Sequence, residues 1–76
     1  MTLDELKKGQ TARITGMAGD GPLAQRLMAM GLLEGSIVRL VRKALGGDPI
    51  EVEVMGYALS LRSAEAQKVQ IAVNHD

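Results

Sequence analysis

Residues 23–40, LAQRLMAMGLLEGSIVRL, decide the fold of this chain because the spacing of their apolar residues changes partway along the stretch. Leu23, Leu27 and Met30 repeat at helical spacing, whereas the last residues of the stretch form an apolar run typical of a strand. Gly31 predicts the end of the helix, since glycine enters the left-handed backbone region that closes many helices at little cost. The stretch therefore predicts a helix, a corner and a strand, on which the rest of the chain builds a sheet.

The helix is predicted to begin near Pro22, which follows the helix-breaking residues 19–21 and suits a first helical position because it has no N–H to leave unpaired. This helix carries more apolar surface than one buried face uses, because Ala24 and Met28 add a second apolar strip beside the first. Part of that strip, Met28 above all, is expected to stay exposed and to contact a partner protein. The alternative is that these residues only pack on the end of a barrel.

Alternating apolar residues outside the helix predict short strands. In residues 50–54 the inward positions are even-numbered, whereas Leu59 and Leu61 are odd-numbered. A strand cannot change parity without a turn or bulge, so one is predicted at residues 55–57, where Gly56 permits it. The predicted strands cover residues 10–17, 36–44, 50–54, the neighbourhood of 59–61, and 69–73.

Two single helical turns are predicted outside the main helix. Residues 2–5, TLDE, fit a capping box in which the Thr2 hydroxyl and the Glu5 carboxylate each bond the other residue's amide. Ser63 is positioned to cap a turn over residues 64–67. The last residues, 74–76, are expected to form a frayed end.

Together these elements predict a mainly β fold, a small SH3-like antiparallel barrel of about five strands in which the last strand closes on the first. The main helix is inserted between the first two strands, and one-turn helices lie near the N-terminus and before the last strand. The 76 residues are expected to form one domain, 1–76, with a small core. One aromatic residue, Tyr57, means that aliphatic side chains and the five methionines must fill that core.

Charge and hydropathy exclude several classes of partner. Nine basic residues balance nine acidic ones, and Tyr57 is the one aromatic side chain, whereas nucleic-acid binding relies on excess positive charge and often on stacking aromatics. An SH3-like nucleic-acid-binding domain therefore stays an alternative of low weight. No apolar run approaches the roughly 20 residues of a membrane span, and the N-terminus lacks the pattern of a signal peptide. We expect a cytoplasmic protein that does not insert into the membrane.

The sequence contains no arrangement typical of catalysis or of a dedicated metal site. It has no cysteine, no GxSxG or GxxxxGK[ST] motif, and a single histidine at position 75. His75 and Asp76, or the acids of the hairpin tip, are expected to hold a surface ion weakly at most. The sequence thus predicts neither an enzyme nor a bound cofactor.

With these residues in place, the chain resembles the FeoA family over residues 3–73. Single pieces of the pattern are weak signals, but their order and spacing together are specific. They are Leu6 with Gly9, Ile14 to Gly16, Arg26-Leu27 through Gly31 and Gly35, Gly47-Asp48-Pro49-Ile50, Gly56, and Leu59-Ser60-Leu61-Arg62 followed by Glu65.

The resemblance implies a cytoplasmic accessory protein of bacterial ferrous iron uptake that acts on FeoB, the membrane transporter, through its cytosolic GTP-binding region. We expect the main helix to dock on that region by apolar contact, with Arg26 setting orientation at the rim. A direct iron(II)-binding role is a further alternative, although the chain lacks an evident ligand set, and weak self-association is open. The expected partner-binding residues are Met17, Leu23, Arg26, Leu27, Met28, Met30 and Leu32.

Overall fold

The computed structural model describes residues 1–73 and forms one antiparallel sheet of five strands in the order β4-β3-β2-β1-β5. The mainly β prediction is confirmed, and the last strand pairs with the first as expected. The helix α1 is inserted between β1 and β2, and the short helix α2 precedes β5. The bounds are β1 Thr11–Met17, α1 Pro22–Ala29, β2 Ile37–Lys43, β3 Ile50–Val54, β4 Tyr57–Leu61, α2 Ser63–Ala66 and β5 Val69–Val73, with 3₁₀ turns at Leu3–Glu5 and Leu45–Gly47.

The core lies on one face of the sheet because each strand alternates apolar and polar positions. In β1 the residues Ala12 and Ile14 are buried, while Arg13 points outward. The 3₁₀ turn near the N-terminus adds Leu3 and Leu6 to the same cluster. The other buried apolar residues of the strands are Val38, Leu40, Ile50, Val52, Val54, Leu61, Val69 and Ile71.

The outward face of the β2–β3 hairpin carries two cross-strand charge pairs. Arg39 lies 3.5 Å from Glu53, and Arg42 lies 3.2 Å from Glu51. All four side chains are substantially exposed to solvent, so each pair stabilises the hairpin by less than about 1 kcal/mol. This face of the hairpin is therefore solvated.

A two-residue turn joins β3 to β4 at the position where the change of parity predicted it. Both Met55 and Gly56 have positive φ, 51° and 81°, which is the geometry of a type I′ hairpin turn. Glycine adopts this conformation freely, but methionine rarely does. Among residues 1–73, Met55 is the one residue other than glycine with a positive φ.

The C-terminal end of α1 is a Schellman motif, which explains why the chain turns where it does. Gly31, at φ 102°, donates its N–H to the Met28 carbonyl at 3.0 Å. The Leu32 N–H reaches the Leu27 carbonyl at 3.2 Å, and both leucines are fully buried. This is the pairing of hydrogen bonds and apolar contact that typically ends a helix at a glycine.

Of the two predicted one-turn helices, the first has the predicted Thr2–Glu5 bond, whereas the second is not capped by Ser63. At the N-terminus the Thr2 N–H donates to the Glu5 carboxylate at 2.8 Å, as the TLDE pattern predicts. Ser63 is not the cap of α2 but its first residue, preceded by Arg62 at the cap position. Its N–H donates to Asp48 Oδ1 at 2.9 Å, so an acceptor from the β2–β3 loop adds to the local capping by Glu65, which accepts the Arg62 N–H. The frayed end predicted for residues 74–76 lies outside the described residues.

The two edges of the sheet differ. The outer edge of β5 is partly covered by the start of the chain, where Thr2 forms a bridge to Gln70 and the Ile71 N–H donates to the Met1 carbonyl at 2.9 Å. In residues 1–73 no strand pairs with the outer edge of β4. The sheet therefore has one open edge, on β4.

Candidate interaction surface

The helix α1 divides its apolar side chains between the core and the surface. Leu27 has no exposed area and Ala24 is 4% exposed, whereas Leu23 and Met30 are half-buried and pack against the core cluster. Ala24 was expected on the second strip with Met28, but it lies in the interior. Met28 is half-buried and is not among the residues that pack on the core cluster.

The remaining predicted partner-binding residues also occupy different depths. Leu32 is fully buried as the apolar partner of Leu27 in the Schellman motif. Met17, at the end of β1, is half-buried and packs against the core. Leu27 and Leu32 consequently offer no side-chain surface to a partner in this conformation.

Arg26 links the two helices. Its guanidinium donates to the Glu65 carboxylate, whose other oxygen accepts the Arg62 N–H at 2.8 Å and so caps α2. The Arg26 side chain is nonetheless 60% exposed. It lies where a rim contact was predicted, but its charge is already paired within the chain.

A group of exposed apolar side chains lies beside the corner at the end of α1. We call it the corner patch and define it as Leu33, Ile37, Met55 and Tyr57, which are 44%, 50%, 66% and 43% exposed. Val38 pairs with Val54 between β2 and β3, so Ile37 and Met55 lie at the same end of that ladder. The corner patch thus combines the loop after α1, the start of β2 and the β3–β4 turn.

Close contacts join the corner patch to α1. The Tyr57 hydroxyl donates to the Met30 carbonyl at the helix terminus. A Cβ built on Gly31 would lie 3.1 Å from the Met55 sulfur and 3.2 Å from the Tyr57 hydroxyl. A glycine at the corner therefore lets the β3–β4 turn approach the helix end beside Met30.

Sequence reasoning selected α1 but missed the corner patch. The one available signal was β2, where apolar residues occur on both faces and Ile37 therefore cannot share the buried face of Val38. Met55 and Tyr57 carry no such signal, because their exposure depends on how the β3–β4 turn meets the end of α1.

Residues 1–73 contain no cluster of three or more His, Cys, Asp or Glu placed to hold a metal ion, and they enclose no cavity. Within the same residues no helix has the length and apolar character of a membrane span. One carboxyl group is shifted: hydrogen bonds from the Thr2 backbone and side chain lower the pKa of Glu5 below its ordinary value. That the chain is not an enzyme stays a prediction.

Comparison with known protein families gives a match over nearly the whole chain. The model of the FeoA domain matches residues 1–73. A relative in Porphyromonas gingivalis, a fusion of Fe(2+) transport protein A with the Fe(2+) transporter FeoB, is 34% identical over 71 residues. The match covers 93% of this chain and 8% of the fusion protein, so the chain corresponds to a small part of that relative.

Solved structures confirm the barrel class. A FeoA-like protein from Clostridium acetobutylicum superposes with a TM-score of 0.92 at 29% identity, covering 100% of this chain and 88% of that one. FeoA of Stenotrophomonas maltophilia, described as a prokaryotic SH3 domain protein and crystallised with zinc, superposes with a TM-score of 0.85 at 33% identity. That match covers 95% of this chain and 89% of the other. The SH3-like fold predicted from the strand pattern is confirmed.

Proposed function

Because the chain belongs to the FeoA family, which is associated with ferrous iron transport, we propose that it docks on the cytosolic GTP-binding region of a FeoB-type transporter and regulates it. The docking surface is α1 together with the corner patch. This assignment makes the protein a cytoplasmic accessory factor that acts by contact.

The fusion of the two activities in one relative supports the choice of partner. In the Porphyromonas gingivalis protein a FeoA-type part and a FeoB transporter belong to the same chain. Linking two modules raises the effective concentration of each for the other, commonly to millimolar values, so a small and weak contact surface is sufficient. Such a contact fits a 76-residue chain in which four exposed large apolar side chains form the corner patch.

The character of the surface supports an apolar contact. Met28, Met30 and Met55 contribute flexible thioether side chains, which adapt to a partner's shape better than branched side chains do. Tyr57 adds a ring that is 43% exposed, and aromatic side chains are enriched among the residues that dominate binding energy. Arg26 is paired with Glu65, so we assign it orientation at the rim and give the main part of the affinity to the apolar side chains.

Met55→Asp is the sharpest test of this surface. Aspartate tolerates the left-handed backbone of position 55 better than methionine does, so the variant is expected to fold at least as stably as the natural chain. The same change places a charge on the corner patch and removes its most exposed apolar side chain. We expect at least a tenfold weaker affinity for the purified cytosolic region of the transporter, measured by amide NMR titration.

Leu45→Asp is the matched control, because Leu45 is a fully exposed leucine in the β2–β3 loop, at the opposite end of β2 from Ile37. It should bind as the natural chain does, while Met28→Asp should lose affinity as Met55→Asp does. Equal affinity of all three variants would refute the assignment of α1 and the corner patch as the docking surface.

Titrations without nucleotide, with GDP and with a GTP analogue would report which state of the transporter's GTP-binding region is bound. Iron(II) added alone under anaerobic conditions is the control for direct metal binding, and site-specific broadening in that arm would favour an iron-binding role instead.

A further inference from the structure

The open edge of β4 presents backbone groups arranged as in an unfinished sheet. Tyr57 and Val54 flank the two-residue turn, so Tyr57, Leu59 and Leu61 direct their N–H and C=O groups toward β3. The backbone groups of Ala58 and Ser60 consequently point away from the sheet, and both residues are exposed. Within residues 1–73 no strand occupies that side.

This edge lacks the features that normally prevent strand addition. Natural edge strands are blocked by charges, prolines, bulges or a covering segment. The sequence of β4, YALSL, contains neither a charge nor a proline. Its register with β3 is regular over five pairs, whereas the β1–β5 and β2–β3 ladders each contain an irregularity. The opposite edge of the sheet is covered by residues 1–2.

We propose that β4 accepts an extended segment of the transporter's cytosolic region as an added antiparallel strand. This inference rests on the proposed function and adds a second contact to it. Ala58 and Ser60 would supply two N–H donors and two C=O acceptors to the incoming backbone. The exposed Tyr57 ring and the half-buried Leu59 lie on the core-facing side, so the segment carries apolar residues at alternate positions on that side.

The charge of Arg62 indicates which residue type lies at one end of the added segment. Arg62 directly follows β4, and its side chain is 70% exposed and only loosely paired, 3.6 Å from Asp48. An antiparallel strand begins beside the C-terminal end of the strand that it joins. The segment is therefore expected to carry an acidic residue near its own N-terminal end, opposite Arg62.

The length of the edge favours a transporter segment over a second copy of this chain. Five residues of strand extend only about 17 Å. Pairing two such edges buries far less than the roughly 1,000 Å² expected of a stable interface between free proteins. A segment whose protein is already held at α1 and the corner patch needs only a small additional affinity, because its effective concentration is high.

Amide hydrogen exchange followed by NMR gives a direct test, since strand addition protects alternate residues. In the free protein Leu59 and Leu61 should exchange slowly and Ala58 and Ser60 quickly. On addition of the cytosolic region, the exchange of Ala58 and Ser60 should slow by at least tenfold. A general stabilisation of the fold would slow all four amides instead.

Ser60→Pro removes one outward N–H without breaking a bond to β3, and proline is tolerated at such positions of edge strands. We expect it to weaken binding of the cytosolic region three- to tenfold, whereas Ser60→Thr, which keeps the N–H, should not. If circular dichroism shows that Ser60→Pro does not fold, Ala58→Lys places a charge on the same edge and should have the same effect.

The outcomes separate the inference from the proposed function. Binding without protection of Ala58 and Ser60, or unchanged affinity of folded edge variants, overturns the added strand and leaves docking through α1 intact. Absence of any binding overturns both. Protection of Ala58 and Ser60 that grows with protein concentration in the absence of the transporter makes a second copy the occupant and overturns the transporter segment.

Discussion

Gly31 meets two requirements at one position. Its φ of 102° lies in the region that suits glycine, and its missing side chain leaves the space into which Met55 and Tyr57 project. Gly35, four residues later, has a similar φ of 92° but has nothing within 4 Å of a built Cβ. The two glycines therefore differ in packing and share their backbone conformation.

Replacement of each glycine by alanine should separate these two effects. Gly35→Ala is expected to lower the free energy of unfolding by about 1–2 kcal/mol, the cost of a left-handed L-residue. Gly31→Ala should cost roughly 1 kcal/mol more, because its methyl group crowds the Tyr57 hydroxyl, which is held by its bond to Met30. Equilibrium urea unfolding measures both, and equal losses would show that the crowding at Gly31 is relieved without cost.

Glu5 should make a small contribution to stability that is lost at acidic pH. The Thr2 N–H lowers the pKa of Glu5 in the folded chain, so the carboxylate stabilises the fold above its ordinary pKa. That contribution is lost as the pH falls through the lower, folded-state pKa. Glutamine cannot titrate, so the natural chain should have a higher urea midpoint than Glu5→Gln near pH 7, and the difference should close as the pH falls through the lowered pKa of Glu5. A gap that is independent of pH would contradict this role.

At the scale of the elements, the Schellman motif determines which side of α1 is buried. The motif joins Leu27 and Leu32, which are both fully buried, whereas Met28 beside Leu27 is half-buried. Helical spacing in the sequence identified Leu27 as a core residue as well as a candidate contact. It could not show that Leu32, beyond the helix, is drawn into the interior by the same motif.

Alanine replacements on neighbouring positions of α1 should reveal this division. Leu27→Ala removes a fully buried side chain and is expected to cost 2–5 kcal/mol of unfolding free energy. Met28→Ala removes a half-buried side chain outside the core cluster and should cost about 1 kcal/mol or less. Urea unfolding of the two variants gives the comparison, and similar losses would mean that Met28 also belongs to the core.

The element order, the strand positions and the turn at residues 55–56 were predictable because each depends on local spacing or on a glycine. The bond from the Ser63 N–H at the start of α2 was not, since its acceptor comes from Asp48, 15 residues away in the chain. Ala24 was misplaced for a related reason. A side chain as small as that of alanine does not indicate from the sequence whether it lies on the buried or the exposed face of the helix.

At the scale of the whole molecule, the candidate surface forms only when elements that are distant in the sequence pack together. Its parts come from α1, the following loop, β2 and the β3–β4 turn, which are separate in the sequence. The sequence pattern predicted the helix because helical spacing involves residues that are close together in the chain. It could not identify the corner patch, because the exposure of Met55 and Tyr57 depends on the approach of that turn to Gly31.

The pairing of the first strand with the last has a consequence for biosynthesis. β1 lies between β2 and β5, and the residues before it lie against β5 through the Thr2 bridge and the Met1 carbonyl. On the ribosome β1 is made early, yet one of its sides stays unpaired until β5 has left the exit tunnel. Contacts so distant in sequence are typical of domains that fold in milliseconds to seconds. The sheet can therefore be completed only once β5 is available to pair with β1.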